Sequence, residues 1–357
     1  MIKFLIDHID PLGQGVFKKN EDIFFVPKTL PGEEGFLEII KKTKGVHFCR
    51  VIKLTKESSL RIKSSCSHFN NCNGCNFLHT DYDQEIQFKL NSFRKLLNQL
   101  ELENEKINIL KSSKRLHYRN RVQLHYHQKT NSLGFKGYKS SKIESIPNCL
   151  IMNENVNQEY QNLKTSLPLK LKNQKPSGHV EIYEKDSSVN ISWNKSYAEG
   201  GFSQVNSEVN LALQELVTKH IEAESTVLDL FGGDGNLTNK IQCKNKLSID
   251  LYNETINDKS KFHLNLFDSE ALSQFSSINK QDFDTFIIDP PRSGFKLLSD
   301  WSSKYKPNKI VYVSCHPATM IRDIKELLRE YQVTSTSLID LFPSTYHYEA
   351  MIVLVRR

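Results

Sequence analysis

Short apolar runs alternate with polar residues and Gly/Pro turns through residues 1–56, where "PLGQG" and "KTLPGEEG" punctuate the chain. This pattern predicts about five short strands and a small barrel of the OB type. Residues 83–100 change period: Ile86, Leu90, Phe93, Leu97 and Leu100 fall on one face of a helix. From about 117 to 195 the pattern is again that of strands, with Val122, Leu124 and Tyr126 alternating with polar neighbours and "HVEIYEK" and "VNISW" following. Beyond residue 200 a helical stretch, "NSEVNLALQELVTKH", leads into continuous apolar runs: "STVLDLF", "LSIDL", "FDTFIID", "KIVYVSC" and "YEAMIVLV". Unbroken apolar strands separated by helices or turns predict an α/β domain with a mostly parallel sheet buried on both faces.

Charge refines this picture. The chain has 357 residues and a net charge of +7. Residues 89–142 carry thirteen Lys/Arg against three Glu and no Asp, a local +10, so the remainder is slightly acidic. Aromatics and histidines interleave with that block in "KRLHYRNRVQLHYHQK", as expected of a face that meets a polyanion, RNA or DNA. No apolar run approaches the roughly 20 residues of a membrane span. The N-terminal "MIKFLIDHID" places acids where a signal peptide has its apolar core. With an odd number of cysteines, seven, it suggests a reducing, cytoplasmic setting.

Three places carry candidate chemistry. In "VLDLFGGDGN" a strand runs into a Gly-rich turn and the expected start of a helix, as in a first βα turn that binds a nucleotide. Asp229 and Asp234 there disfavour a pyrophosphate and suit a neutral or cationic ligand such as S-adenosylmethionine, while Asp250, one strand later, is placed to bind ribose hydroxyls. Asp289 in "IIDPPRSGF" ends a further strand. Cys315 in "YVSCHPATMIRD" ends the next, on the sheet edge where such domains bind ligands. A thiolate is a natural nucleophile for the electron-poor C6 of a pyrimidine. Such chemistry also needs a base for the C5 proton, and His347 and Glu349 precede the last strand. The third place is "CSHFNNCNGC", with Cys66, Cys72 and Cys75; Cys149 is a plausible fourth ligand, and the spacing alone allows zinc or an iron–sulfur cluster. Cys49 and Cys243 match no motif and are expected to pack.

Taken in order, "YRNRVQ", "GFSQVN", "LDLFGGDGNLT", "IDPPRSG", "YVSCHPATMIRD" and "DLFPSTYHYEAMIVL" resemble the S-adenosylmethionine-dependent RNA uracil-5-methyltransferases, and the likeness runs over nearly the whole chain. The resemblance implies a TRAM domain over residues 1–56, a central β-rich domain from 57–79 and 113–200, and a Rossmann-like methyltransferase domain from 80–112 and 201–357. It implies Cys315 as nucleophile and Glu349 as proton-abstracting base. Gln204, Phe231, Asn236, Asp250, Asn265 and Asp289 would line the cofactor and target-base pocket. Members with this cysteine spacing bind [4Fe–4S], which implies such a cluster on Cys66, Cys72, Cys75 and Cys149. TRAM and cluster together are most similar to enzymes acting on 23S rRNA, with the tRNA T-loop as the alternative substrate, and Arg119, Arg121 and Lys136 are the expected phosphate contacts. A monomer is expected. In a different class, the same features would fit a non-catalytic RNA-binding protein with a metal-stabilised domain. The link from Asp250 to Asn265, "LYNETINDKSKFHL", is shorter than the helix the family places there, which implies a more open adenosine end of the pocket.

Overall fold

The computed structural model describes residues 1–102, 105–138, 140–195, 203–251 and 258–357, and the chain divides into two compact units. Unit 1 comprises Met1–Ser92, Ser113–Glu199 and Phe342–His347; unit 2 comprises Phe93–Ser112, Gly200–Leu341 and Tyr348–Arg357.

Unit 1 begins with six strands: β1 (Ile2–Leu5), β2 (His8–Ile9), β3 (Gln14–Lys19), β4 (Asp22–Pro27), β5 (Glu34–Thr43) and β6 (Val46–Lys56). They form one sheet in the order β1-β5-β6-β4-β3-β2. Six strands form where the pattern suggested five; the extra one is the two-residue β2 ahead of the "PLGQG" turn. The β5–β6 ladder is bent by three register shifts. Gly35 sits at one of them, where a Cβ would drive into the Lys53 carbonyl, so the close strand approach requires glycine. Phe4, Ile6, Phe17, Phe24, Val26 and Leu37 pack with Cys49 into the core of this sheet. That burial pushes the Cys49 thiol up to about 11, as befits a packing residue.

A turn-rich stretch with the first three cluster cysteines leads into helix α1 (Tyr82–Leu97). Its predicted face, Ile86, Leu90, Phe93 and Leu97, is buried, as is Leu100 just beyond. The chain then supplies β7 (Ile107–Leu110) to unit 2 and returns to unit 1. There β8 (Arg121–His127), β9 (Ser132–Lys136), β10 (Ile143–Glu144), β11 (Ser177–Lys185) and β12 (Ser188–Trp193) make an antiparallel sheet ordered β10-β9-β8-β11-β12. Between β10 and β11 lies α2 (Glu154–Leu171), a helix within a region whose pattern suggested only strands. Asn153 caps it by accepting from the Val156 N–H at 2.9 Å. Val156, Tyr160, Leu163, Leu167 and Leu171 are its buried face.

In unit 2, α3 (Ser207–Thr218) precedes β13 (Thr226–Leu230), β14 (Asn245–Asp250), β15 (Lys261–His263), α4 (Ala271–Ile278), β16 (Thr285–Ile288), α5 (Leu298–Tyr305), β17 (Lys309–Ser314), α6 (Pro317–Lys325), β18 (Tyr331–Ile339) and β19 (Glu349–Arg356). The eight-stranded sheet is ordered β15-β14-β13-β16-β17-β19-β18-β7. Strands β13 to β17 run parallel, and β19 inserts antiparallel between β17 and β18. The continuous runs Phe286–Ile288 and Ile310–Val313 are buried throughout, as a sheet covered on both faces requires. Chain order reverses between β13 and β16, which marks the crevice at their carboxyl ends as the ligand position. Among the described residues no helix is long and apolar enough to cross a membrane.

Candidate active site

The Gly-rich turn follows β13. Phe231 adopts a left-handed backbone, φ +64°, and its N–H donates to the Ile249 carbonyl at 2.9 Å. Gly232 lies so close to the Asp229 carboxylate and the Ser248 hydroxyl that no Cβ fits. The Gly233 N–H donates to Asp250 Oδ2 at 3.1 Å, tying the ends of β13 and β14 together. The helix expected after this turn does not form: residues 233–240 close in successive tight turns, with Thr238 and Asn239 both donating to the Gly235 carbonyl. Without a helix N-terminus the turn lacks the usual phosphate cradle, consistent with a ligand that is not a pyrophosphate.

The other expected cofactor residues are placed unevenly. Asn236 is engaged with α3, exchanging hydrogen bonds with Asn210 at 2.9 and 3.1 Å and accepting from Gln214 at 3.2 Å. Gln204 is buried just ahead of α3. Asn265 is exposed and accepts from the Phe267 N–H in a local turn. The half-exposed Phe267 ring lies 5.3 Å from Phe231, which also meets Phe295 edge-on at 5.0 Å. Most of the short link after Asp250, residues 252–257, lies outside the described residues, and with it the expected opening of the pocket.

Cys315, Glu349, Asp289 and Asp229 do come together. Asp229 is buried at the end of β13, where Thr238 Oγ1 donates to it at 2.6 Å; burial pushes its carboxyl up to about 6 against that bond. Asp289 follows β16, and burial with the neighbouring Asp229 charge pushes it up to about 7. Glu349 opens β19 only 2 % exposed, and burial and Asp289 hold it well above the ordinary carboxyl range. Among the described residues its Oε2 has no hydrogen-bond partner, a costly state for a buried oxygen unless it is protonated or met by a ligand. Cys315 is half-buried at the end of β17; burial, then Glu349 and Asp289, push its thiol up to about 12. Against them stands Arg292, exposed in the loop after β16, which hydrogen-bonds the thiol and draws down both Cys315 and Glu349. Arg292 thus acts on Cys315 and Glu349 and Lys246 on Asp229, while Asp229 raises Asp289 and Asp289 raises Glu349 and Cys315, a concentration of buried acid that a cationic ligand would relieve. Arg292 was present in the "DPPRSG" motif, but nothing in the sequence marked it as a cation of the site. His347, the other candidate base, belongs to unit 1, its ring 4.0 Å from Tyr346 and 5.9 Å from Phe342.

In unit 1 the four expected cluster cysteines act on one another. Burial raises the Cys75 thiol strongly, and Cys149, Cys72 and Cys66 raise it further. The sulfurs receive N–H bonds: Gly74 donates to Cys72 Sγ at 3.3 Å, and the Ile151 and Met152 amides donate to Cys149. Among the described residues no group of His, Cys, Asp and Glu is closed tightly enough to hold a single metal ion. Lys28, missed in the sequence, joins the cysteines: its ammonium donates to the Phe69 and Cys72 carbonyls and lies 4.7 Å from the Phe69 ring centroid.

The expected phosphate contacts separate. Lys136 is exposed at the end of β9. Arg119 is half-buried and its Nε donates to the Arg121 carbonyl at 2.8 Å. Arg121 is corrected: it is 1 % exposed, ion-paired with Glu181 at 3.2 Å and set over the Tyr183 ring, so its guanidinium is committed inside the sheet.

Comparison with known proteins places this geometry. The family model for tRNA (Uracil-5-)-methyltransferase matches residues 246–357. The 23S rRNA (uracil(1939)-C(5))-methyltransferase RlmD of Shewanella woodyi is 25% identical over 98% of this chain and 95% of its own, and that of Vibrio vulnificus is 27% identical over 97% and 94%. The crystal structure of the Pyrococcus abyssi tRNA (uracil-54, C5)-methyltransferase, in complex with S-adenosyl-L-homocysteine, superposes with a TM-score of 0.72 at 22% identity, covering 99% of this chain and all of that one, and so shares its fold. The chain is thus similar over nearly its whole length to RNA uracil-5-methyltransferases, and the matching family model spans the part that carries Asp289, Cys315 and Glu349.

Proposed function

We propose that this protein methylates C5 of a uridine in 23S rRNA through a covalent bond between Cys315 and C6 of the base. The observation that carries the reading is the half-buried Cys315 thiol held between the Arg292 guanidinium and the buried Glu349 carboxyl. S-adenosylmethionine, when bound, supplies an electrophilic methyl on a cationic sulfur. Asp250, Phe231, Gln204 and Asn236 are the residues that would hold it, and the buried Asp229 and Asp289 favour its positive charge.

Cys315, which is half-buried, gives up its proton to water, the nearby guanidinium stabilises the thiolate, and the sulfur bonds to C6 as the C5–C6 double bond opens. C5, made nucleophilic by that addition, takes the methyl, and the methyl–sulfur bond would break to leave a neutral thioether. Glu349, drawn toward its ionised form by Arg292, then accepts the C5 proton; the S–C6 bond breaks and the thiolate is restored. The uridine must leave any base stack to reach the thiol.

Unit 1 serves this site as the RNA-binding part. Its N-terminal six-stranded sheet acts as a TRAM domain, the antiparallel sheet of β8–β12 as a central domain, and Lys136 and Arg119 meet phosphate. Cys66, Cys72, Cys75 and Cys149 hold a [4Fe–4S] cluster. Thiolate ligands would suit such a cluster, and the Gly74 N–H that donates to Cys72 Sγ at 3.3 Å would stabilise charge on that sulfur. The cluster fastens the fold and takes no part in methyl transfer. The protein works as a monomer in the cytoplasm, where its seven cysteines remain free of disulfides.

RNA carrying 5-fluorouridine tests the reading. Fluorine cannot leave C5 as a proton does, so wild-type protein traps this RNA in a denaturation-resistant adduct and Cys315→Ala does not. Mapping 5-methyluridine in RNA from a deletion strain then names the substrate: loss from 23S rRNA supports the reading, and loss from the tRNA T-loop alone moves it to tRNA.

A further inference from the structure

Phe342–His347 belongs to unit 1, although the chain before it, to Leu341, and after it, from Tyr348, belongs to unit 2. Side chains and backbone of unit 1 hold these six residues along most of their length. The Ser344 N–H donates to Glu85 Oε1 at 2.7 Å, and its carbonyl accepts from the Asn76 and Phe77 amides at 2.8 and 3.1 Å. Tyr346 N–H donates to Asn76 Oδ1 at 3.3 Å, Tyr118 donates to the Pro343 carbonyl at 2.9 Å, and Lys89 donates to the Phe342 carbonyl at 3.3 Å.

Glu85 is the hub. It is 0 % exposed and carries Lys89 at 2.8 Å and Arg115 at 2.9 Å besides Ser344. Arg115 in turn donates to the Phe77 and Thr80 carbonyls at 2.7 and 2.8 Å, so the carboxylate also fixes the segment that grips Ser344. Ser344 itself is fully buried with φ +68°. A left-handed backbone at a non-glycine residue is unfavourable and persists where its surroundings over-determine it. An arrangement this heavily bonded fixes the backbone path of Phe342–His347 and therefore the point from which the chain enters β19.

Glu349 follows His347 by two residues. The geometry points to Glu85, with Asn76 and Phe77, as a clamp that positions Glu349 to remove the C5 proton. This rests on the reading of Glu349 as that base. Glu85 touches no reacting atom; it acts on the covalent lead into β19. Proton transfer is sensitive to such a lead, since a misplacement of about 1 Å costs on the order of 100-fold. Asn76 directly follows Cys75, so the cysteine segment and the base share one mechanical support.

The test separates the steps. Glu85→Gln keeps the shape but removes the charge that collects Lys89 and Arg115. Single-turnover methyl transfer to uridine RNA should stay within about threefold of wild type, while release of methylated RNA slows by about tenfold or more and a denaturation-resistant adduct accumulates. A purely structural role predicts that both steps fall together with the melting temperature; that result, or no change in either step, overturns the clamp. Should Glu85→Gln fail to fold, Asn76→Ala, which removes only the acceptor for Tyr346, is judged by the same partition. Trapping of 5-fluorouridine RNA does not need Glu349 and must be normal in the variant. If wild-type protein also fails to trap it, the underlying reading falls, and the clamp with it.

Discussion

Replacing Arg292 by Met removes a cation that draws down both Cys315 and Glu349. With its thiol at about 12, Cys315 is ionised at pH 7.5 in only about 1 in 10⁴–10⁵ molecules, so every change in its pKa reaches the rate. A neighbouring opposite charge moves a pKa by about 1–3, and losing it lowers the thiolate fraction about 10- to 1000-fold. A more basic thiolate is also more nucleophilic, with a Brønsted slope near 0.4–0.5, which recovers about half of that loss on a logarithmic scale. Thiol addition should therefore slow by roughly 3- to 30-fold in Arg292→Met. The assay is the rate of adduct formation with 5-fluorouridine RNA between pH 7 and 9, because it reads addition without the Glu349 step. In wild type the rate should climb about tenfold per pH unit, since the thiol titrates above this range. Arg292→Met should run parallel and lower, and Arg292→Lys, which keeps a point charge but loses the planar fork, should fall between them. A variant that traps at the wild-type rate throughout would show that Arg292 does not govern the thiol.

Glu349→Gln should still methylate but release RNA slowly, with adduct visible on natural uridine RNA; prompt release would move the base elsewhere. Folded Asp229 and Asp289 titrate near 6 and 7 rather than near 3.8, so the folded state holds extra protons and their contribution to stability, full below pH 4, is lost as pH rises through 4–7. Each pKa unit is worth about 1.4 kcal/mol, and the melting temperature of Asp229→Asn should accordingly fall less than that of wild type between pH 5 and 8; identical slopes would refute it. Anaerobically purified protein should carry about four irons per chain, and Cys72→Ser or Cys149→Ser should lose them; stoichiometric zinc would contradict the cluster. Arg119→Ala with Lys136→Ala should flatten the dependence of log affinity on log salt by about one in slope, measured beside a melting curve; an unchanged slope places the RNA elsewhere.

Much of this was legible where one physical demand dominated the sequence. The α1 face and the apolar runs of β13, β16 and β17 were readable because burial fixes their period. The places of Cys315 and Asp289 just beyond β17 and β16 were readable because each closes an unbroken apolar run. Helix α2 was not: three asparagines, one of them on the buried face, and Pro168 lie within it, and its buried residues alone carry the 3.6-residue period. Arg121 misled for the opposite reason. A basic residue in a basic block looked solvated, yet its partner Glu181 arrives from a strand sixty residues later, a pairing only the register of β8 with β11 creates. Glu85 and Arg292 were hidden likewise, since each owes its role to residues far along the chain.

The interleaving of the two units has a consequence in time. Glu85 leaves the ribosome 259 residues before its partner Ser344, and at about 5–20 residues per second the delay is roughly 13–50 seconds. At the end of that interval β17, and then β18, also lack β19, the strand that separates and joins them. The nascent chain must carry a charged triad without its final ligand and an open apolar strand edge, the condition in which strands seek foreign partners. Synthesis slowed near residue 340 should therefore favour aggregation or chaperone capture, whereas a pause after residue 60 finds the N-terminal sheet already whole.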